Sequence, residues 1–359
     1  MRSMVEAIGN GTGIRLGVRP GIRFDFRLGF RVAELWARAF AQVSDPQEPN
    51  DQPTLPTVSR PLPHSSSSPS PQPPNSPHSA RPPLPPSQLI RRANWLDARF
   101  TPRDWAIIET LYRMNCATGR QIQRLHFAEL ASAQRSAQYV LRRLIQWRAV
   151  VADGGAVGGI LRGSAQRIIS LDPAAYRLMR MREGLPVSEI RSGESPTANW
   201  LNWHGILVTE LYVQCREAET AGTLGLIDFT TEPRCWWPNG TGGFIRPDAY
   251  VKVDVPRTDL FHDWWIEVDT GTESIPRVRE KFTRYLDYAQ RGATGPNGHM
   301  PRVLLATLDH SRVPVLRRAV TRMGPTAQHL IQVMPFRDSA ALLAAFAGTP
   351  ATPAPEERQ

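Results

Sequence analysis

A stretch of proline and serine between residues 44 and 93, including "PHSSSSPSPQPPNSPHSARPPLPPSQ", limits what this chain of 359 residues can fold into. It has almost no large apolar side chains, so burial cannot offset the entropy lost on ordering it. The expectation is a disordered or polyproline-like linker over 44–93. Before it, a tail at 1–43 carries Val32, Leu35, Trp36 and Phe40 at helical spacing, a short amphipathic segment. Folded structure is expected to resume near Trp95 and to form two domains, 94–192 and 198–348, followed by a disordered tail at 349–359.

The formal net charge of +10 and pI near 10.2 call for a polyanionic partner, either nucleic acid or an anionic membrane surface. Attachment to such a surface through the segment around Trp36 is one reading of the tail. No apolar run approaches the roughly 20 residues that span a bilayer. Cys116, Cys215 and Cys235 are far apart and form no zinc or disulfide pattern. A soluble chain in the reducing cytoplasm is the expectation.

In the first domain, "TPRDWAIIETLYRMN" has Thr101 as helix N-cap and Pro102 in the first turn. "TGRQIQRLHF" and "SAQRSAQYVLRRLIQW" give two further helices, and "RAVVADGG" and "SAQRIISLD" give two strands about a Gly-rich tip. Three helices followed by a β-hairpin describe a winged helix. Arg135, Gln138, Arg142 and Arg143 form the polar side of the third helix, suited to double-stranded DNA, and Arg162 and Arg167 lie on the hairpin. The alternative is a solvated arginine face that binds nothing.

The second domain reads as a helix, three strands, a helix, a strand, and then a further helix, strand and helix. The chain holds 43 basic residues, of which only Lys252 and Lys281 are lysines, and both lie in this domain. Alternation along strands puts Asp248, Tyr250 and Lys252 on one face, and Glu267 with Asp269 on one face. If these strands pair, up to three carboxylates converge, and such a patch needs a divalent cation or a lysine. Oxygen ligands point to Mg²⁺ or Mn²⁺. Lys281, at the edge of the buried face of the following helix, is placed to reach the patch, and Lys252 is a weaker candidate. His204 and Tyr285 read as packed residues. No His-x-His pair accompanies Tyr285 and Tyr288, as tyrosine-based nicking would require.

"PDAY" on one strand, "EVD" on the next and the αβββαβ order resemble the PD-(D/E)XK restriction-endonuclease-like fold. Together with the winged helix, the run "PDAY…EVDTGTES…REKFTRYL" is similar to the replication-relaxation family of bacterial plasmids and integrative elements, over about residues 97–340. The resemblance implies an α/β (α+β) protein of plasmid or mobile-element replication or mobilisation. It also implies Asp248 and Glu267 as metal ligands and Glu210 as an accessory acid. The usual lysine two residues beyond the second acid is replaced by Asp269, so phosphodiester hydrolysis would need Lys281 in its place, with Asp269 a third ligand or water-orienting base. The alternative is a non-catalytic DNA-binding accessory protein with a degenerate nuclease fold. Other replication or mobilisation proteins, or a second copy of the chain, are further candidate partners.

Overall fold

The computed structural model describes residues 84–157, 166–185, 203–254 and 260–347. The tail at 1–43, most of the linker, Arg162 on the hairpin tip and the tail at 349–359 lie outside the described residues. Helical structure is present before Trp95: helix α1 runs Pro86–Asp97, and Leu89, Ala93 and Leu96 bury one stripe of it. Proline at the helix start has no intrahelical bond to lose. The linker expected to extend to residue 93 is therefore helical over its last residues, because apolar spacing begins inside the proline-rich composition.

Helix α2 (Pro102–Met114) begins with a reciprocal capping box between Thr101 and Asp104, a device that contributes about 1 kcal/mol. Strand β1 (Cys116–Thr118) follows, then α3 (Gly119–His126), opened by a second capping box between Thr118 and Gln121. Helix α4 spans Ala133–Gln146 and turns Ala137, Leu141 and Leu144 inward. Strands β2 (Val150–Val157) and β3 (Gln166–Leu171) pair antiparallel, and β1 joins on the other side of β3. Helix α5 (Pro173–Arg182), capped by Asp172, is additional to the three helices expected; it packs against α1.

Helix α6 (Trp203–Thr220) leads into a five-stranded mixed sheet. Its strands are β4 (Leu226–Thr231), β7 (Ala249–Asp254), β8 (Phe261–Asp269), β9 (Arg302–Thr307) and β10 (Ile331–Pro335). Strand order is β10-β9-β8-β7-β4, antiparallel from β4 to β8 and parallel from β8 to β10. The Gly-rich connection after β4 forms a two-stranded ribbon of β5 (Trp237–Pro238) and β6 (Phe244–Ile245).

Both faces of the sheet are covered, which is why β9 reads as a near-continuous apolar run from Val303 to Ala306. On one side Leu207 and Leu211 of α6 meet Phe229, Val251, Trp264 and Ile266, together with α10 (Ser339–Ala347). On the other, Trp265 and Val303 pack beneath α7 (Ile275–Gln290), α8 (Val313–Arg322) and α9 (Pro325–Leu330).

All described residues fall in one compact unit of mixed α/β structure. The two halves are joined by buried polar contacts. The Thr209 hydroxyl donates to the Cys116 carbonyl at 2.7 Å, and Gln121 Nε2 donates to the Ile206 carbonyl at 3.0 Å. The Thr231 hydroxyl donates to the Arg113 carbonyl at 2.7 Å.

Candidate active site and nucleic-acid interface

Strand register assembles the acidic centre. Ala249 lies opposite Ile266, and the Asp248 amide donates to the Ile266 carbonyl at 2.9 Å, so Asp248 sits across from Glu267. On the other side, Thr231 lies opposite Ala249 and the Glu232 amide donates to the Asp248 carbonyl at 3.1 Å. Glu232, Asp248 and Glu267 thus form a row across three neighbouring strand positions.

Asp248 Oδ2 accepts the Val268 amide at 2.7 Å and lies 3.0 Å from His204 Nε2 on α6. Glu267 is 2% exposed. It accepts Tyr285 OH at 2.5 Å on Oε1 and Lys281 Nζ at 3.1 Å on Oε2, both from α7. Lys281 also lies 3.3 Å from Glu273. Helical spacing explains the pairing, since residues four apart share a face.

The electrostatics follow from burial of like charges. Burial, and then the Asp248 charge, push the Glu267 carboxyl up to about 7. Burial alone would pull the Lys281 ammonium down, but Glu267 and Asp248 outweigh it and hold the group charged well above its ordinary range. His204 follows the same pattern: burial lowers it, yet the Asp248 hydrogen bond and charge leave it raised overall. Glu232 is raised by burial and by Asp248. The cluster is therefore a site where Glu232 and Glu267 resist ionisation beside the Lys281 ammonium, a pattern found at functional centres.

Several expected residues lie elsewhere. Asp269 does not join the row: Arg312 grips it at 2.9 and 3.3 Å, Thr307 donates at 2.8 Å, and the amide of Gly271 donates at 3.0 Å. It fastens the turn after β8, where Gly271 takes a positive φ of 85°. Glu210 is held between the halves by Arg124 at 2.5 Å and Gln121 at 2.9 Å. Lys252 lies 3.5 Å from the centre of the Phe261 ring and 3.4 Å from Asn297 Oδ1, at the other end of the strands.

His204 and Glu232 were missed because their meaning is tertiary. His204 stands beside Trp203 on an apolar helix, and Glu232 precedes a proline just past a strand end. Strand register brings Glu232 to Asp248, and the packing of α6 on the sheet brings His204.

Among the described residues, no three His, Cys, Asp or Glu side chains are grouped so as to hold a metal ion. Asp269, expected as the third ligand, is committed to Arg312. The remaining donor set of Asp248 and Glu267 fits Mg²⁺ or Mn²⁺ only in the mode where one or two carboxylates share the cation with water and substrate phosphate.

On the first half, α4 exposes Arg135, Gln138 and Arg142, and Arg167 is exposed on β3. Arg143 turns inward, contrary to the sequence expectation. It pairs with Asp104, which is fully buried at the start of α2, and its guanidinium lies 4.9 Å from the Trp147 ring centre. Adjacent arginines in a helix face directions about 100° apart, and here the second faces the core.

These features define a mixed α/β protein with an arginine-bearing helix in one half and a buried carboxylate cluster served by a helical lysine in the other. The replication-relaxation family model matches residues 108–303, more than half of the chain, and the chain belongs to that family. No curated protein and no solved structure matched it. No helix among the described residues is long and apolar enough to cross a membrane.

Proposed function

We propose that this is a DNA-binding protein of plasmid or mobile-element replication or mobilisation, in which a winged-helix half docks on duplex DNA and a PD-(D/E)XK-like half nicks or cleaves it. The observation that carries the reading is the contact of Lys281 with Glu267, directly across from Asp248. The order α2-β1-α3-α4-β2-β3 supports the winged helix, and α6-β4-β7-β8-α7-β9 supports the nuclease-like half.

Asp248 and Glu267 would hold Mg²⁺ or Mn²⁺. When bound, the cation would polarise a phosphoryl oxygen and make water a stronger nucleophile. Lys281 places a permanent positive charge where negative charge develops on phosphorus-bound oxygens. Tyr285 fixes the Glu267 carboxylate by its hydrogen bond, and His204 does the same for Asp248. The test is conversion of supercoiled plasmid carrying the cognate element to open-circular form, with each metal. Wild type is expected to nick and Asp248→Ala to be inert.

A second reading, a non-catalytic DNA-binding accessory protein, is favoured by one observation: Asp248, Glu267 and Asp269 are each already partnered by a basic side chain, His204, Lys281 and Arg312. Under it, wild type and Asp248→Ala bind DNA equally and neither nicks.

A further inference from the structure

Tyrosines in this protein are put to structural use with one exception. Tyr112, Tyr250, Tyr285 and Tyr288 donate hydrogen bonds to Glu183, Asp263, Glu267 and the Thr294 carbonyl. Tyr176 and Tyr212 pack their rings against Tyr112 and Phe229. Tyr139, on the outer face of α4, is 68% exposed, the highest value among the large apolar side chains left in solvent in the described residues. It has neither a hydrogen bond nor a ring contact among the described residues.

The surroundings of Tyr139 identify what would cover it. Arg135 is one turn before it, Arg142 nearly one turn after, and Gln138 is its neighbour; all are exposed. Residues three and four apart are contiguous on a helix, so these side chains tile one surface around the ring. No Asp or Glu occurs between Glu129 and Asp153, so nothing on α4 neutralises this face. Its occupant is therefore polyanionic. Arg and Gln are also side chains that form paired hydrogen bonds to guanine and adenine edges in the major groove. An aromatic ring set among them meets one apolar feature on the floor of that groove, the C5-methyl of thymine.

We propose that Tyr139 is a specificity-determining residue that contacts a thymine methyl in the major groove, so the recognised site contains an A·T pair flanked by bases read from the same helix face. This rests on the DNA-docking reading above and names part of what is read.

The experiment is selection of binding sequences from a random duplex pool by the full-length protein, for wild type, Tyr139→Ala and Tyr139→Phe. Equal thermal midpoints would establish that the variants remain folded. Wild type is expected to enrich a motif with a fixed thymine, and replacing that thymine by uracil to weaken binding about fourfold, the value of one buried methyl group. Tyr139→Phe should keep the motif and the uracil effect, whereas Tyr139→Ala should lose the preference at that position alone and bind uracil and thymine duplexes equally. An unchanged motif and uracil effect in Tyr139→Ala would overturn the proposal. So would loss of the preference in Tyr139→Phe, which would assign the contact to the hydroxyl. If wild type binds no duplex at all, the DNA-docking reading itself falls, an outcome distinct from binding that ignores the thymine.

Discussion

Glu267 is the residue on which the proposed chemistry would turn, because it is buried with Asp248 across from it and Lys281 against it. Burial, with the Asp248 charge, pushes its carboxyl up from an ordinary 4.5 to about 7. The folded state therefore holds a proton that the unfolded state releases between those values. The contribution is fully present below 4.5 and is lost as pH rises through 7. Glu267→Gln has no such titration, so its stability relative to wild type should climb between pH 5 and pH 8, measured by urea unfolding at each pH. A constant difference would contradict the burial argument. Alternation along strands made Asp248 and Glu267 legible in the sequence, and the scarcity of lysine drew attention to Lys281. The same alternation grouped Asp269 with Glu267, and only the fold shows Arg312 holding it.

Within α4, two consecutive residues part company: under the proposed DNA-docking reading Arg142 would read, while Arg143 builds. Arg142 points to solvent and Arg143 pairs with the fully buried Asp104. Arg143→Ala should therefore lower stability by about 3 kcal/mol, since a buried carboxylate loses its cation, with the effect read from denaturant midpoints. Arg142→Ala should leave stability within about 0.5 kcal/mol of wild type. It should instead reduce the salt dependence of DNA affinity by nearly one released counterion. The reverse pattern would mean that the helix is mounted the other way round. Periodicity revealed α4 as a helix, but both arginines lie at the border of its polar side, where spacing alone does not decide. Strand β1 escaped notice for a different reason: three residues are too few to show alternation, and its identity comes from pairing with β3. Helix α1 was hidden by the proline and serine composition in which it starts.

At the scale of the whole molecule, the two halves meet through a charged and hydrogen-bonded seam in which Arg124 bridges Glu210 and Glu217 while Gln121 reaches Glu210. Glu210, which family resemblance suggested as an accessory acid, is thereby assigned to the junction. Glu210→Gln should weaken cohesion of the halves, seen as faster amide exchange in α3 and α6, while nicking persists within about threefold of wild type, well short of the 10²–10³ loss typical of a charge-stabilising group. Family membership over residues 108–303 crosses this seam, so the matched region takes in parts of both halves. The element order was legible because each apolar period marks its own helix or strand, whereas the seam was not, because Thr209, Gln121 and Arg124 read individually as ordinary helix-surface residues. In the proposed reaction, Lys281 on α7 would take the task usually given to a lysine on the strand. Single-turnover nicking of supercoiled plasmid in Mg²⁺, compared among wild type, Lys281→Ala and Lys252→Ala, tests it most directly. Lys281→Ala should lose about 10²–10³ in rate and Lys252→Ala should stay near wild type; equal rates for Lys281→Ala and wild type, or DNA binding without nicking by all three, would rule out this role for Lys281.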